Sequence, residues 1–364
     1  MTEWKEYKLG ELLTIKYGKD HKQLSDGIYP VYGSGGIMRY GDRYLYDKES
    51  ILIPRKGSLN NIFFEDKAFW TVDTMFWSEI DSSKVCPKFL YYQLTLVDFE
   101  SLNVGSAVPS LTIPIINDVD VVLPSLPTQR RIASILSSLD DKIDLLHREN
   151  ATLEQMAETL FRQWFVVEVK EKWEEGTVAD FAQHCKESLN PQKHPTTVFQ
   201  HYSIPAFDDG KRPTIETGEN IQSNKYLVPS NCILFSKLNP HKDKRVWLML
   251  DDVTDNAICS TEFQIVKPTN REYLYFLYGW LTNKENYDEI ASGVGGTSGS
   301  HQRIDPKSIF SFTCPNVDSE TIRNYNNKVE PLFYKIRNNQ KQIQTLIQTR
   351  DGLLPRLMSG EVKI

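Results

Sequence analysis

The sequence predicts an α+β chain built as a tandem duplication, with two strand-rich globular halves, each followed by one long helix. Three observations carry this reading. Short segments recur in the same order at slowly growing offsets, two stretches keep a heptad spacing, and β-branched and aromatic runs alternate with Gly, Asn and Asp turns. At 364 residues and about 150 per domain, two or three compact units are expected. Aromatic residues make up 11% and the hydrophobic class 40%, enough to build packed cores and to exclude a disordered chain.

The repeats are sparse in identity but ordered. Trp4-Lys-Glu-Tyr-Lys-Leu-Gly-Glu-Leu returns as Trp173-Glu-Glu-Gly-Thr-Val-Ala-Asp-Phe at an offset of 169. Ile51-Leu-Ile-Pro-Arg-Lys returns as Ile233-Leu-Phe-Ser-Lys-Leu at 182, and Phe89-Leu-Tyr-Tyr-Gln-Leu as Tyr273-Leu-Tyr-Phe-Leu-Tyr at 184. Val104-Gly-Ser matches Val294-Gly-Gly at 190, an offset that then holds through the following helix. Loop insertions in a diverged duplication produce such a drift. One short helix is expected in each half, near Pro87–Leu96 and near Arg271–Leu281.

The first long helix places Ile132, Leu136, Leu139, Ile143, Leu146, Asn150, Leu153, Ala157, Leu160 and Trp164 at alternating spacings of four and three. The second reads Ile322, Asn326, Val329, Phe333, Ile336, Gln340, Ile343, Ile347, Arg350, Leu354 and Leu357. Such seams pair helices. Asn150 and Gln340 share a heptad position under the offset of 190, so they are candidates for a buried polar layer that sets helix register, or else two unrelated polar residues near solvent. Pro331 predicts a kink or break near Glu330–Pro331, and Gly352–Pro355 a helix end. The expected limits are residues 1–127 for one globular half, 128–165 for its helix, 166–318 for the second half and 319–364 for the second helix.

Familiar chemistry is missing. Tyr32-Gly-Ser-Gly-Gly-Ile does not complete a dinucleotide fingerprint, because Met38 stands where the third glycine belongs. Neither Asn190-Pro191 nor Asn239-Pro240 continues into the run that would hold a flipped adenine. The seven histidines form no i, i+4 metal pair, and five cysteines without a C-x-x-C pair read as reduced, mostly buried thiols. No enzyme is expected. The charged N-terminus is unlike a signal peptide, and the longest strongly apolar stretch, Leu274–Leu281, is far too short for a bilayer, so a cytoplasmic, soluble protein is expected.

Basic residues cluster on expected loops: Lys16, Lys19, His21 and Lys22, then Arg39 and Arg43, then Arg55 and Lys56 beside Gly57 in the first half. The second half offers Lys237, Lys242, Lys244 and Arg245. Such loops either contact phosphates and base edges or form ordinary solvated faces. The net charge of −6 means that a DNA reader of this kind would draw much of its affinity from a basic partner.

Four stretches resemble the specificity subunits of type I restriction–modification systems. They are Tyr29-Pro-Val-Tyr-Gly-Ser-Gly-Gly-Ile37, Ile51-Leu-Ile-Pro-Arg-Lys-Gly57, Phe69-Trp-Thr-Val-Asp-Thr-Met-Phe76 and Leu123-Pro-Ser-Leu-Pro-Thr-Gln-Arg-Arg-Ile132. The resemblance covers the whole chain, although the second repeat keeps only the proline and isoleucine of the last stretch, in Cys314-Pro-Asn-Val-Asp-Ser-Glu-Thr-Ile322. It implies two target-recognition domains separated by helices that pair as an antiparallel coiled coil, and a non-catalytic subunit reading the two halves of an asymmetric DNA target. It implies as partners double-stranded DNA, two methyltransferase subunits and, for cleavage, two motor-nuclease subunits, with no membrane. It implies no cofactor in this chain, S-adenosylmethionine in the methyltransferase, and ATP and Mg in the nuclease.

On this reading the DNA contacts fall at Lys19, Lys22, Tyr32, Ser34, Gly35, Arg39, Arg55, Lys56 and Ser106, and at Lys237, Lys242, Lys244, Arg245, Ser298 and Gln302. Leu160, Phe161, Trp164 and Phe165 either dock a methyltransferase helix or cap the chain's own core. A first helix of about 37 residues is roughly 55 Å long, the length of roughly 16 base pairs. Half-sites about one DNA turn apart, or a little more, are therefore expected, and shortening this helix by one heptad should change target spacing alone. The alternative is a coiled-coil adaptor whose duplicated domains bind proteins.

Overall fold

The computed structural model describes residues 4–105, 108–168, 173–241, 244–295 and 302–362, apart from the side chains of residues 294, 295 and 306. The chain divides into two compact units, residues 1–147 with 340–364, and residues 148–339. The division falls inside a central helix (Leu126–Arg162) and a C-terminal helix (Ser319–Met358), so each unit contains one end of each.

Unit 1 begins with β1 (Lys5–Lys8), β2 (Leu13–Tyr17), β3 (Asp26–Gly33) and β4 (Gly36–Gly41). It continues through β5 (Ser50–Pro54), β6 (Phe63–Glu65), β7 (Trp70–Thr71) and β8 (Met75–Ile80). Two short helices, α1 (Pro87–Leu94) and α2 (Ile113–Asn117), precede β9 (Asp120–Leu123). An antiparallel sheet runs in the order β2-β8-β5-β6, and a second in the order β4-β3-β7, with β7 parallel to β3. The Ser-Ile-Leu-Ile-Pro run of β5 is buried at every position, as a short continuous apolar strand should be. Phe76, Phe89, Leu90 and Val121 share one core with Ile132 and Leu136 of the central helix and Leu357 of the C-terminal helix.

The glutamine in the Leu123–Ile132 stretch has a structural role. Gln129 is 1% exposed; its amide donates to the Pro124 carbonyl at 2.8 Å and its oxygen accepts from the Cys86 N–H at 2.8 Å. It fastens the start of the central helix to the end of β9 and the start of α1. Further along, Ile143, Leu146 and Ile343 pack together, and Arg350 pairs with Asp140 at 2.9 Å. Rising numbers on one helix meet falling numbers on the other, so these segments run antiparallel.

Unit 2 repeats the plan. It contains β10 (Glu175–Thr177), α3 (Val178–Phe181), β11 (Ala182–Cys185), β12 (Ser188–Leu189) and β13 (Val198–Tyr202). Next come α4 (Ile204–Asp208), β14 (Thr214–Thr217), β15 (Lys225–Leu227), β16 (Cys232–Ser236) and β17 (Val246–Met249). Then follow β18 (Ala257–Cys259), β19 (Phe263–Pro268), α5 (Leu274–Thr282) and α6 (Lys284–Ser292). The last elements are β20 (Val294–Gly295), β21 (Arg303–Ile304), α7 (Pro306–Phe310) and β22 (Thr313–Pro315). The sheet β11-β19-β16-β17 matches β2-β8-β5-β6, and β10 pairs with β22 as β1 does with β9. β18 lies parallel to β13 with β14 antiparallel on the other side, as β7 and β4 flank β3, while β12 and β15 widen this second sheet. β2 and β11 start 169 residues apart and β5 and β16 start 182 apart, the offsets of the sequence repeats.

Several expectations need correction. The C-terminal helix neither breaks at Pro331 nor ends at Gly352–Pro355; it is helical from Ser319 to Met358. A helix-interior proline costs about 3 kcal/mol. Packing in unit 2 opposes that cost: Glu330 takes hydrogen bonds from Arg271 and Tyr275, and Phe333 stacks on Tyr275 with ring centroids 5.3 Å apart. Beyond Pro355, Leu357 and Met358 are buried in the core of unit 1, which holds the last turn helical.

The polar layer is also shifted by one residue. Asn150 accepts from the amide of Asn339 at 2.9 Å, not from Gln340, and Asn339 also reaches the Glu149 carboxylate at 2.9 Å. Antiparallel pairing matches residues whose numbers have a constant sum, so equal heptad position under the repeat offset does not make two residues partners. The expectation of one short helix per half was too spare, since α2, α3, α4, α6 and α7 accompany α1 and α5.

Candidate nucleic-acid interface

The loop that follows β5 leaves the sheet at Pro54, which has no N–H to continue the ladder. Arg55 and Lys56 donate their backbone N–H groups to the Thr74 carbonyl at 2.8 and 3.2 Å. The Arg55 carbonyl accepts from Leu111, and Gly57 donates to Pro109, at 2.9 and 3.1 Å. Gly57 has φ +94°, where a side chain is strained, and an added Cβ would lie 2.8 Å from the Ser34 hydroxyl. Asn61 donates to the Ser34 carbonyl at 3.1 Å, so the glycine-rich tip of the β3–β4 hairpin sits against this loop.

Unit 2 builds the same frame from other residues. After β16, Lys237 donates to the Glu262 carbonyl at 3.0 Å and accepts from Ile304 at 3.0 Å. Asn239 donates to the Gln302 carbonyl at 2.8 Å. It has φ +46°, a left-handed conformation that asparagine tolerates better than most residues. Lys56 bridges to Ser110 as Leu238 bridges to Arg303. Arg55 and Lys237 are therefore structural equivalents, 182 residues apart.

Around Arg55 the side chains are ordered for contact. Its guanidinium carbon lies 5.5 Å from the centre of the Tyr17 ring, and one nitrogen donates to the Asp73 carbonyl at 3.1 Å. Tyr17 itself is 56% exposed. Lys19, Lys22, Gly35 and Lys56 are exposed, Ser34 is half-buried at the hairpin tip, and Arg39 is held by Asp26 at 2.7 Å. In unit 2, Lys237 and Gln302 are half-buried, and Lys244 is exposed but tied to the Thr282 carbonyl at 2.9 Å. Ser106, Lys242 and Ser298 lie outside the described residues.

Two candidates are interior residues. Tyr32 is 8% exposed and its hydroxyl donates to Glu65 at 2.8 Å; burial, then the Glu65 hydrogen bond, pushes its phenol well above the usual range. Arg245 is 9% exposed and grips Asp208 with a two-toothed contact of 2.7 and 2.9 Å. Both serve the fold, because their polar ends are already engaged inside it.

The aromatic cluster at the end of the central helix is also structural. Phe161 and Phe165 are 1% and 2% exposed, and Leu160 and Trp164 pack partly buried beside them. Gly279 lets α5 approach: a Cβ there would fall 2.2 Å from a Phe161 ring carbon. Phe161 and Phe165 are closed off in their own unit's core and offer no surface to a partner helix.

Sequence reading overlooked Tyr17, Lys186 and Arg303. Strand register makes Lys186, one residue past β11, the equivalent of Tyr17 at the end of β2; the offset of 169 carried that signal. His184, the equivalent of buried Ile15, is lowered to about 4 by burial and then by nearby Lys186 and Lys237. Arg303 forks onto Glu262 at 2.9 and 3.0 Å. Among the described residues, no group of three His, Cys, Asp or Glu side chains could hold a metal ion, and no helix is long and apolar enough to cross a membrane.

Comparison with known proteins agrees with this plan. Residues 1–155 match the family model of the type I restriction modification DNA specificity domain. The chain is 24% identical to the type I restriction enzyme MjaIX specificity subunit of Methanocaldococcus jannaschii, over 88% of this chain and 79% of the relative. It is 27% identical to the HindI specificity subunit of Haemophilus influenzae, over 46% of this chain and 41% of that one. The crystal structure of a type I restriction-modification S subunit from M. genitalium shares the fold, with a TM-score of 0.66 at 16% identity, over 98% of this chain and 96% of that chain. Together with the four sequence stretches and the duplicated architecture, these matches make the chain similar to the type I restriction–modification DNA specificity subunits, with its first 155 residues matching their specificity domain.

Proposed function

We propose that this chain is the non-catalytic, sequence-reading subunit of a type I restriction–modification complex, each unit reading one half of a bipartite, asymmetric duplex target. The observation that carries the reading is the repeated loop frame, with one set of backbone bonds presenting Arg55 in unit 1, beside Tyr17, and Lys237 in unit 2, where strand register puts Lys186 in the place of Tyr17. A conserved backbone with exchanged side chains is what two readers of different sequences require, because base edges are told apart by the donors and acceptors that meet them.

The partners on this reading are two methyltransferase subunits, which carry S-adenosylmethionine, and two motor-nuclease subunits, which use ATP and Mg. This chain then contributes positioning and no reacting group. Its antiparallel helix segments set the spacing of the half-sites. Co-purification with the methyltransferase of the same system, followed by footprinting on genomic DNA, tests the proposal. Two protected patches a fixed distance apart support it. A chain that captures proteins but protects no DNA supports the adaptor alternative.

A further inference from the structure

We propose that Arg55 is a specificity-determining residue of unit 1, reading the O6 and N7 edge of a guanine, whereas its equivalent Lys237 contacts a phosphate in unit 2. This rests on the DNA-reading function proposed above and names the residue that does the reading.

The two positions differ in what the side chain can do, not in where the backbone puts it. Arg55 and Lys237 both follow the last residue of a buried strand, and both are gripped by a carbonyl on one side and an N–H on the other. Arg55 lies 5.5 Å above the half-exposed Tyr17 ring and has one described hydrogen bond, to the Asp73 carbonyl at 3.1 Å. A guanidinium has five N–H donors, so a fork-shaped set is left to meet a ligand, already oriented by the ring and the carbonyl. That planar fork matches two acceptors side by side, and a guanine's major-groove edge offers them. Fixing the fork before binding reduces the ordering cost of contact.

Lys237 offers a point charge on a flexible stem, and strand register puts the exposed Lys186 where Tyr17 stands beside Arg55 in unit 1. Two ammonium groups without a planar fork neutralise phosphate well and distinguish base edges poorly. The arrangement therefore assigns base reading to one loop and backbone gripping to its copy.

The test is selection from a pool of randomised duplexes by the full chain bound to its methyltransferase, comparing wild type with Arg55→Lys, Arg55→Ala and Lys237→Ala. Wild type should select a bipartite motif. Both Arg55 substitutions should lose preference at one G·C pair in one half, by roughly 5- to 150-fold, and leave the other half unchanged. Arg55→Lys, which keeps the charge, should bind the pool nearly as tightly as wild type. Lys237→Ala should select the wild-type motif while reducing the slope of log affinity against log salt by about 0.9. An unchanged motif with Arg55→Ala overturns the guanine assignment, and a base preference lost with Lys237→Ala overturns the phosphate assignment. A wild-type pool without any motif overturns the sequence-reading function itself, and this inference with it.

Discussion

The sheet β2-β8-β5-β6 of unit 1 and the sheet β11-β19-β16-β17 of unit 2 are the same object with different contents. Where unit 1 has Ile15, Tyr17 and Arg55, unit 2 has His184, Lys186 and Lys237. The tight glycine turn joining β3 to β4 becomes, between β13 and β14, a longer connection bearing α4. The difference teaches where each unit spends its sequence. Strand pairing and loop backbone bonds keep the frame, while side chains at and near the strand ends differ between the copies.

The largest expected effect breaks the core of one unit alone. Phe161→Ala removes a fully buried ring packed against Gly279 and should cost about 3–5 kcal/mol. Hydrogen exchange should show the loss within residues 148–339; equal loosening around α1 and β5 would mean that the two units do not unfold separately. Next is the polar layer. Asn339→Ala removes the amide that Asn150 and Glu149 both accept from, leaving Glu149 its Lys335 pair at 3.4 Å, and should cost about 1–3 kcal/mol by denaturant unfolding. Replacing both asparagines with leucine should recover most of it, and a single substitution without cost would show that the layer carries no energy.

The left-handed residues of the two loops sharpen the comparison. Gly57→Ala should cost about 1–2 kcal/mol, because φ +94° and the nearby Ser34 hydroxyl both oppose a Cβ. Asn239→Gly should cost less than Gly57→Ala, since its φ of +46° suits glycine. Matched shifts in the denaturation midpoint would contradict this.

The last effect is in acid. His184 titrates near 6.5 when unfolded and at about 4 in the fold, lowered first by burial. A depressed pKa contributes stability that is fully present above pH 6.5 and lost as pH falls towards 4. Wild-type unit 2 should therefore lose thermal stability over this window more steeply than His184→Ile, which restores the residue of unit 1. Identical pH profiles would show that His184 is not held neutral.

Much of the frame was legible. The offset of 169 emerged from the Trp4 and Trp173 stretches, which hold β1 and β10, that of 182 because β5 and β16 are both buried strands, and the heptads because Ile132, Leu136 and Ile143 are buried. What escaped depends on partners distant in sequence. Pro331 looks like a helix breaker until Tyr275 and Arg271 are placed against its neighbours. Tyr32 and Arg245 look like surface contacts until Glu65 and Asp208 meet them, and Phe161 looks available until Gly279 is set on its ring. Tyr17 gains its meaning from Arg55, 38 positions later.

Modified-base sequencing tests the central claim most directly, on DNA from cells carrying this chain with its methyltransferase and from cells lacking the chain. The account predicts adenine methylation at one motif of two different half-sites separated by a fixed gap, absent without the chain. Methylation at a single contiguous motif, or a pattern indifferent to the chain, would contradict it.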